Sequence, residues 1–125
     1  MKITIIGTGN IGLSIAKGLV INNTYTTLYL TKRKLEALSS WKEYKNITLT
    51  TDNKEAVAKS DILIFAVQPS QFDAILKEIK PVLTDKHVII STITGYAIER
   101  MEAQLGNQYP IIRSMPNTAI SVGKS

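Results

Sequence analysis

Lys2-Ile3-Thr4-Ile5-Ile6-Gly7-Thr8-Gly9-Asn10-Ile11-Gly12 opens the chain with a β-branched run that stops at a glycine and resumes as a helix. Residues 2–6 read as a strand. Residues 10–22 carry apolar side chains at Ile11, Ile15, Ala16, Leu19 and Val20, a helical spacing. A G-x-G-x-x-G at Gly7, Gly9 and Gly12 thus falls between strand and helix, the setting in which that motif cradles a pyrophosphate. Gly7 permits the tight turn. Gly9 lets the backbone approach the anion. Gly12 lets the helix pack close to the strand, with the anion at the helix N-terminus.

The same alternation runs to the end of the chain. Strands are predicted over 26–31, 47–50, 61–67, 87–91 and 110–114. Helices are predicted over 32–40, 52–59, 70–79 and 96–105. The first of these carries Leu35 and Leu38, the second turns Ala56 and Val57 inward, and the third has Phe72, Ile75, Leu76 and Ile79 in register. Five β-α units and a last strand predict an α/β protein. Its sheet is Rossmann-like and doubly wound, of about six mainly parallel strands with helices on both faces. One dinucleotide-binding domain over 1–125 accounts for the whole pattern.

Composition supports a packed domain and removes several classes. Of the 125 residues, 44% are hydrophobic and 20% charged, which is globular rather than disordered. No apolar run approaches the ~18 residues of a membrane span. There is no cysteine, so disulfides and thiolate metal sites are excluded. A single histidine, His87, leaves no histidine cluster, and no metal site is expected. Met1-Lys2-Ile3 runs directly into a strand, so no secretory signal is expected and the protein reads as cytoplasmic.

The net charge of +5 is uneven. Residues 1–60 hold nine Lys/Arg and four Asp/Glu, and residues 61–125 hold six of each. The basic half suits an anionic partner, with small-molecule phosphate, nucleic acid and anionic lipid all open on charge alone. The place after the second strand narrows the choice of dinucleotide. An NAD site sets an acid there for the ribose hydroxyls. This chain has Thr31-Lys32-Arg33-Lys34, with no acid before Glu36. A hydroxyl and three cations suit a 2′-phosphate, so NADP is expected over NAD. Arg33 offers the planar multidentate contact and Lys32 a point charge.

Thr51-Asp52-Asn53, Gln68-Pro69-Ser70, Thr92-Ile93-Thr94-Gly95 and Met115-Pro116-Asn117-Thr118 each directly follow a predicted strand. In a parallel sheet all four emerge on the rim where such sheets bind ligands. Each of the first three also has a plainer reading: a helix cap, a loop stop, and a turn glycine at Gly95. His87 reads as a surface or hydrogen-bonded histidine, and Trp41 with Tyr44 as packing rather than a base-stacking platform.

The residues at this point resemble a family. ITIIGTGNIG at the start, TTDN at 50–53, SDILIFAVQP at 60–69 and IIRSMPNTAISVG at 111–123 resemble the N-terminal, cofactor-binding domain of pyrroline-5-carboxylate reductase. The resemblance implies NADPH-dependent reduction of a cyclic imine, 1-pyrroline-5-carboxylate, to proline. It implies that Gly7 to Gly12, with Thr8, Asn10 and Ile11 among them, cradle the pyrophosphate and that Thr31, Lys32 and Arg33 meet the adenosine ribose and its phosphate. It also implies that Asn53 contacts the cofactor and that Ala66, Val67, Gln68 and Pro69 lie along its nicotinamide half. Met115, Pro116 and Asn117 would form one wall of the substrate pocket. The family continues into a helical domain that dimerises and completes that pocket, so this chain is expected to be the cofactor half of a homo-oligomer. The family commonly has lysine where this chain has Gln68, which keeps a related imine or keto-acid reductase in view. No residue is nominated as proton donor to the imine. A non-catalytic NADP-binding, redox-sensing module is the main alternative. A nucleic-acid-binding domain would leave the glycine turn without a use, so neither nucleic acid nor membrane is expected as a partner.

Overall fold

The computed structural model describes residues 1–22, 24–32 and 35–114. Six strands form one sheet: β1 (Lys2–Ile6), β2 (Thr27–Thr31), β3 (Ile47–Thr50), β4 (Ile62–Phe65), β5 (Val88–Ser91) and β6 (Ile111–Arg113). Four α-helices alternate with them: α1 (Asn10–Asn22), α2 (Asn53–Ala58), α3 (Pro69–Ile79) and α4 (Ile98–Leu105). All pairings are parallel and the order is β3-β2-β1-β4-β5-β6. That is the doubly wound order, whose direction of winding reverses between β1 and β4. The expected fold is therefore observed. β1, α1 and β3 have the bounds read from the sequence, and the other predicted strands and α-helices lie within one or two residues of theirs.

The segment expected as a helix over 32–40 differs. It is a 3-10 segment, Leu35–Glu43, displaced toward the C-terminus. Leu38 and Trp41 are three apart, and both are buried against the β1–β2 face. A three-residue turn aligns such a pair where a 3.6-residue turn would splay it.

Alternation along the strands fills two cores. Ile3 and Ile5 of β1 with Leu28 and Leu30 of β2 pack against Ile15 and Ala16 of α1. Ile6, Leu63, Phe65 and Ile89 face the other way, onto Val57 of α2, Phe72, Leu76 and Ile79 of α3, and Met101 and Leu105 of α4. Thr4 points into this second layer, where its hydroxyl donates to the Ala56 carbonyl (3.1 Å) and meets the Ser60 hydroxyl. The one buried polar side chain of β1 is thus satisfied, as burial requires.

Candidate functional site

The glycine turn stands at the point of reversal. Gly7 adopts φ +90° immediately after β1. A Cβ there would meet the Ala66 carbonyl oxygen at 2.7 Å and Val67 Cγ1 at 2.6 Å. Ala66 N–H in turn donates to the Ile6 carbonyl at 2.9 Å, so the ends of β1 and β4 are held together. A Cβ on Gly12 would overlap the Gly7 carbonyl oxygen, so α1 lies flush on the turn. Around Gly9, by contrast, a Cβ would meet nothing within 4 Å. The three glycines thus separate as the spacing suggests: one for backbone conformation, one for an open approach, one for close packing. Helix α1 has no acidic residue in its first turn, and Ile11 stands 47% exposed at its mouth.

Thr8 and Thr31 were expected to touch a ligand, and the structure turns both inward. Thr8 is 1% and Thr31 2% exposed. The Thr8 hydroxyl donates to the Thr31 carbonyl at 3.2 Å. Lys32 Nζ reaches back to the Thr8 carbonyl at 3.4 Å, which brings its charge to the glycine turn. Arg33, and Met115, Pro116 and Asn117, lie outside the described residues.

The remaining rim loops divide. Asp52 is the N-cap of α2 and accepts from Glu55 N–H at 3.1 Å, so the capping reading is the structural one. Asn53 Nδ2 donates to Glu78 Oε1 at 2.9 Å and bridges α2 to α3. Gln68 precedes α3 without making a side-chain cap, and Pro69 occupies its first turn, where a missing N–H does no harm. Both are exposed on the rim. The Thr92 hydroxyl donates to the Phe65 carbonyl at 2.8 Å and ties the β5 loop to the end of β4. Gly95 has φ +79°, a turn glycine.

His87 is buried, not on the surface. Its Nδ1 accepts from Thr84 N–H at 3.0 Å and its Nε2 pairs with the Val57 carbonyl at 2.9 Å, so both nitrogens are used. Trp41 packs on Tyr44 with ring centroids 5.3 Å apart, a packing role. Among the described residues there is no group of three or more potential His, Asp or Glu metal ligands, and no helix is long and apolar enough to cross a membrane. A cavity of about 550 Å³ lies at the opposite edge, among Lys2, Asp61 and Lys86 near the amino ends of β1, β4 and β5.

One polar cluster escapes sequence reading. Tyr96 donates to Asp73 Oδ1, Arg100 Nη2 reaches Asp73 Oδ2 at 2.6 Å, and Gln104 Nε2 bonds both Asp73 and the Tyr96 oxygen. The Arg100 guanidinium also lies 4.5 Å from the Tyr96 ring centroid. The Tyr96 hydrogen bond foremost, with those of Gln104 and Arg100, holds the Asp73 carboxyl below the usual range. Burial, then Asp73, pushes the Tyr96 phenol up to about 12. The i, i+4 spacing of Arg100 and Gln104 marks one face of α4, but nothing in the sequence ties that face to Asp73.

A six-stranded parallel sheet in this order, with a glycine turn at its reversal, defines a dinucleotide-binding domain of the Rossmann class. The family model described as NADP oxidoreductase coenzyme F420-dependent matches residues 2–95, and the chain belongs to that family. It is 40% identical to pyrroline-5-carboxylate reductase 2 of Dictyostelium discoideum over 128 residues, which is 99% of this chain and 43% of that protein. Among solved structures, a pyrroline-5-carboxylate reductase from Coxiella burnetii superposes with a TM-score of 0.86 at 34% identity, covering 96% of this chain and 45% of that one. The Plasmodium falciparum pyrroline carboxylate reductase with NADP bound gives 0.81 at 27% identity, covering 99% and 45%. The chain spans under half the length of these relatives.

Proposed function

We propose that this chain is the cofactor-binding half of a cytoplasmic, NADPH-dependent reductase that converts 1-pyrroline-5-carboxylate to L-proline. The observation that carries the reading is 40% identity to such a reductase, sustained over 99% of the chain. The residues present fit a dinucleotide diphosphate. The space above Gly9 is open, Gly7 turns the backbone at positive φ, and no carboxylate in the first turn of α1 opposes an anion.

Gly7, Gly9, Asn10, Ile11 and Gly12 would hold the diphosphate. Lys32 and Arg33 supply positive charge for it and for the 2′-phosphate, with Thr8 and Thr31 supporting that surface from beneath. Ala66, Val67, Gln68 and Pro69, across the reversal, would line the nicotinamide half, and Asn53 would stand beside the cofactor. Met115, Pro116 and Asn117 would form one wall of the substrate pocket. Bound NADPH supplies the hydride that reduces the imine carbon. What this chain contributes is orientation on one side. The second half of such a reductase would close the pocket, exclude water and form the dimer. Proximity and orientation supply about 7–11 kcal/mol of a barrier, so one wall alone leaves turnover slower by orders of magnitude.

Two measurements test this. Fluorescence titration should give tighter binding of NADPH than NADH by roughly 10–150-fold, the range of one charge-assisted contact, and Arg33→Ala should narrow the gap. Equal affinities in the parent chain would remove the 2′-phosphate role. NADPH oxidation with 1-pyrroline-5-carboxylate should be seen with a chain extended through the length of the relatives and be nearly absent with residues 1–125. No turnover by the extended chain would overturn the reaction, and equal turnover by both would overturn the division of the pocket.

A further inference from the structure

The glycine turn is packed at its ends, Gly7 against Ala66 and Val67 and Gly12 against the Gly7 carbonyl, which leaves its middle to be held. Gly7 and Gly9 flank it, and glycine leaves the backbone free to leave any one conformation. Between them stands Thr8, with the only side chain at that point in the turn. That side chain is 1% exposed and its hydroxyl donates to the carbonyl of Thr31, the last residue of β2. Lys32, the next residue, returns a bond from Nζ to the Thr8 carbonyl, while its own N–H donates to the Thr50 carbonyl of β3 at 3.2 Å. A small ring of polar contacts therefore clamps the turn after β1 to the end of β2, across a sequence separation of 23 residues. These are the two segments that the cofactor reading assigns to the diphosphate and to the phosphorylated ribose.

We infer that Thr8 is a positioning residue that fixes the spacing between the diphosphate turn and the ribose end of the cofactor site, without touching the cofactor through its side chain. The inference rests on the proposed NADPH reading. Its physical content is preorganisation. A ligand that spans both segments gains from having their separation set before it binds, whereas a ligand that engages one segment gains nothing.

Thr8→Val keeps the shape of the side chain and removes the donor. Affinity for NADPH should fall about tenfold, the effect of one lost hydrogen bond. Affinity for adenosine 2′-monophosphate, which reaches the ribose end alone, should stay within about twofold, and Thr8→Ser should restore NADPH binding. Thr8→Ala takes the place of the valine variant if the latter fails to fold. Unchanged NADPH affinity in a folded Thr8→Val or Thr8→Ala chain would overturn the inference. Equal weakening of NADPH and adenosine 2′-monophosphate would overturn it too, since the effect would then not lie in the spacing. Failure of the parent chain to bind NADPH would instead overturn the cofactor reading on which it stands.

Discussion

The strand-to-helix junctions on one rim of the sheet begin their helices in opposite ways. After β3, Asp52 caps α2 with its own carboxylate on Glu55 N–H. After β1, Gly9 stands before α1 and has no side chain to give, and after β4, Gln68 stands before α3 and makes no capping bond. A capped helix satisfies its first-turn donors within the protein, whereas an uncapped one leaves them for water or a ligand. The capped junction follows the edge strand β3. Two of the three uncapped junctions flank the reversal between β1 and β4, and the third, Ala97 before α4, follows β5. A side-chain cap is thus supplied after the edge strand β3 and absent on both sides of the reversal.

The comparison breaks most severely at Gly12. Gly12→Ala places a Cβ against the Gly7 carbonyl, a backbone atom that cannot swing away. The expected loss is about 3 kcal/mol, read as a fall in Tm of roughly 10 °C, with cofactor binding lost as well. A Tm within a degree or two of the parent would mean that α1 does not lie flush on the turn.

Gly9→Val separates binding from folding. Its Cβ enters open space, so the far-UV circular dichroism should remain that of a folded α/β domain. NADPH affinity should fall by at least about 100-fold, because the branched side chain fills the approach of the diphosphate. Retained affinity would place the dinucleotide elsewhere.

Tyr96→Phe tests the clasp between α3 and α4. Tyr96 keeps its proton up to about 12, above its unfolded value of ~10. Its contribution is therefore full below about pH 10 and is lost as pH rises through about 12. The variant should lower Tm by a few degrees at neutral pH and should lack that part of the alkaline loss. Asp73, held low, acts on the other side, and its contribution disappears as pH falls below the usual carboxylate range. Matching alkaline denaturation curves for parent and Tyr96→Phe would assign the loss to other groups.

Asp52→Ala is the smallest change. Removing the α2 cap should cost about 1 kcal/mol in urea denaturation. Asp52→Asn, which keeps an acceptor oxygen, should recover most of it. A cost below about 0.3 kcal/mol in the alanine variant would show the cap to be replaceable by water.

Much of the fold and of the glycine turn is legible in the residues themselves. Ile3 and Ile5 alternate with Thr4 and Ile6, the helical spacing of α1 follows at once, and three glycines mark the junction. Each is a local signal whose meaning depends on period and on backbone freedom. The proposed role of the basic stretch at 32–34 rests on a similar signal, since an acid is missing where one is otherwise placed. The 3-10 segment reads as a helix because Leu35 and Leu38 fit either period, and only Trp41, buried beside Leu38, decides for the tighter turn. Thr8 and Thr31 read as ligand contacts because a hydroxyl in a ligand turn looks the same in sequence whether it faces out or in.

The sequence by itself determined the alternating elements and the place of the glycine turn. These follow from short-range chemistry that a residue carries with it. The tertiary structure alone decided which strands are neighbours, and so set Gly7 against Ala66 and Val67 at the reversal. It alone sent the Thr8 hydroxyl to the Thr31 carbonyl and gathered Tyr96, Arg100 and Gln104 around Asp73. Contacts between residues 23 to 31 positions apart have no period to announce them. They exist because two layers of side chains packing on one sheet bring distant loops to the same rim.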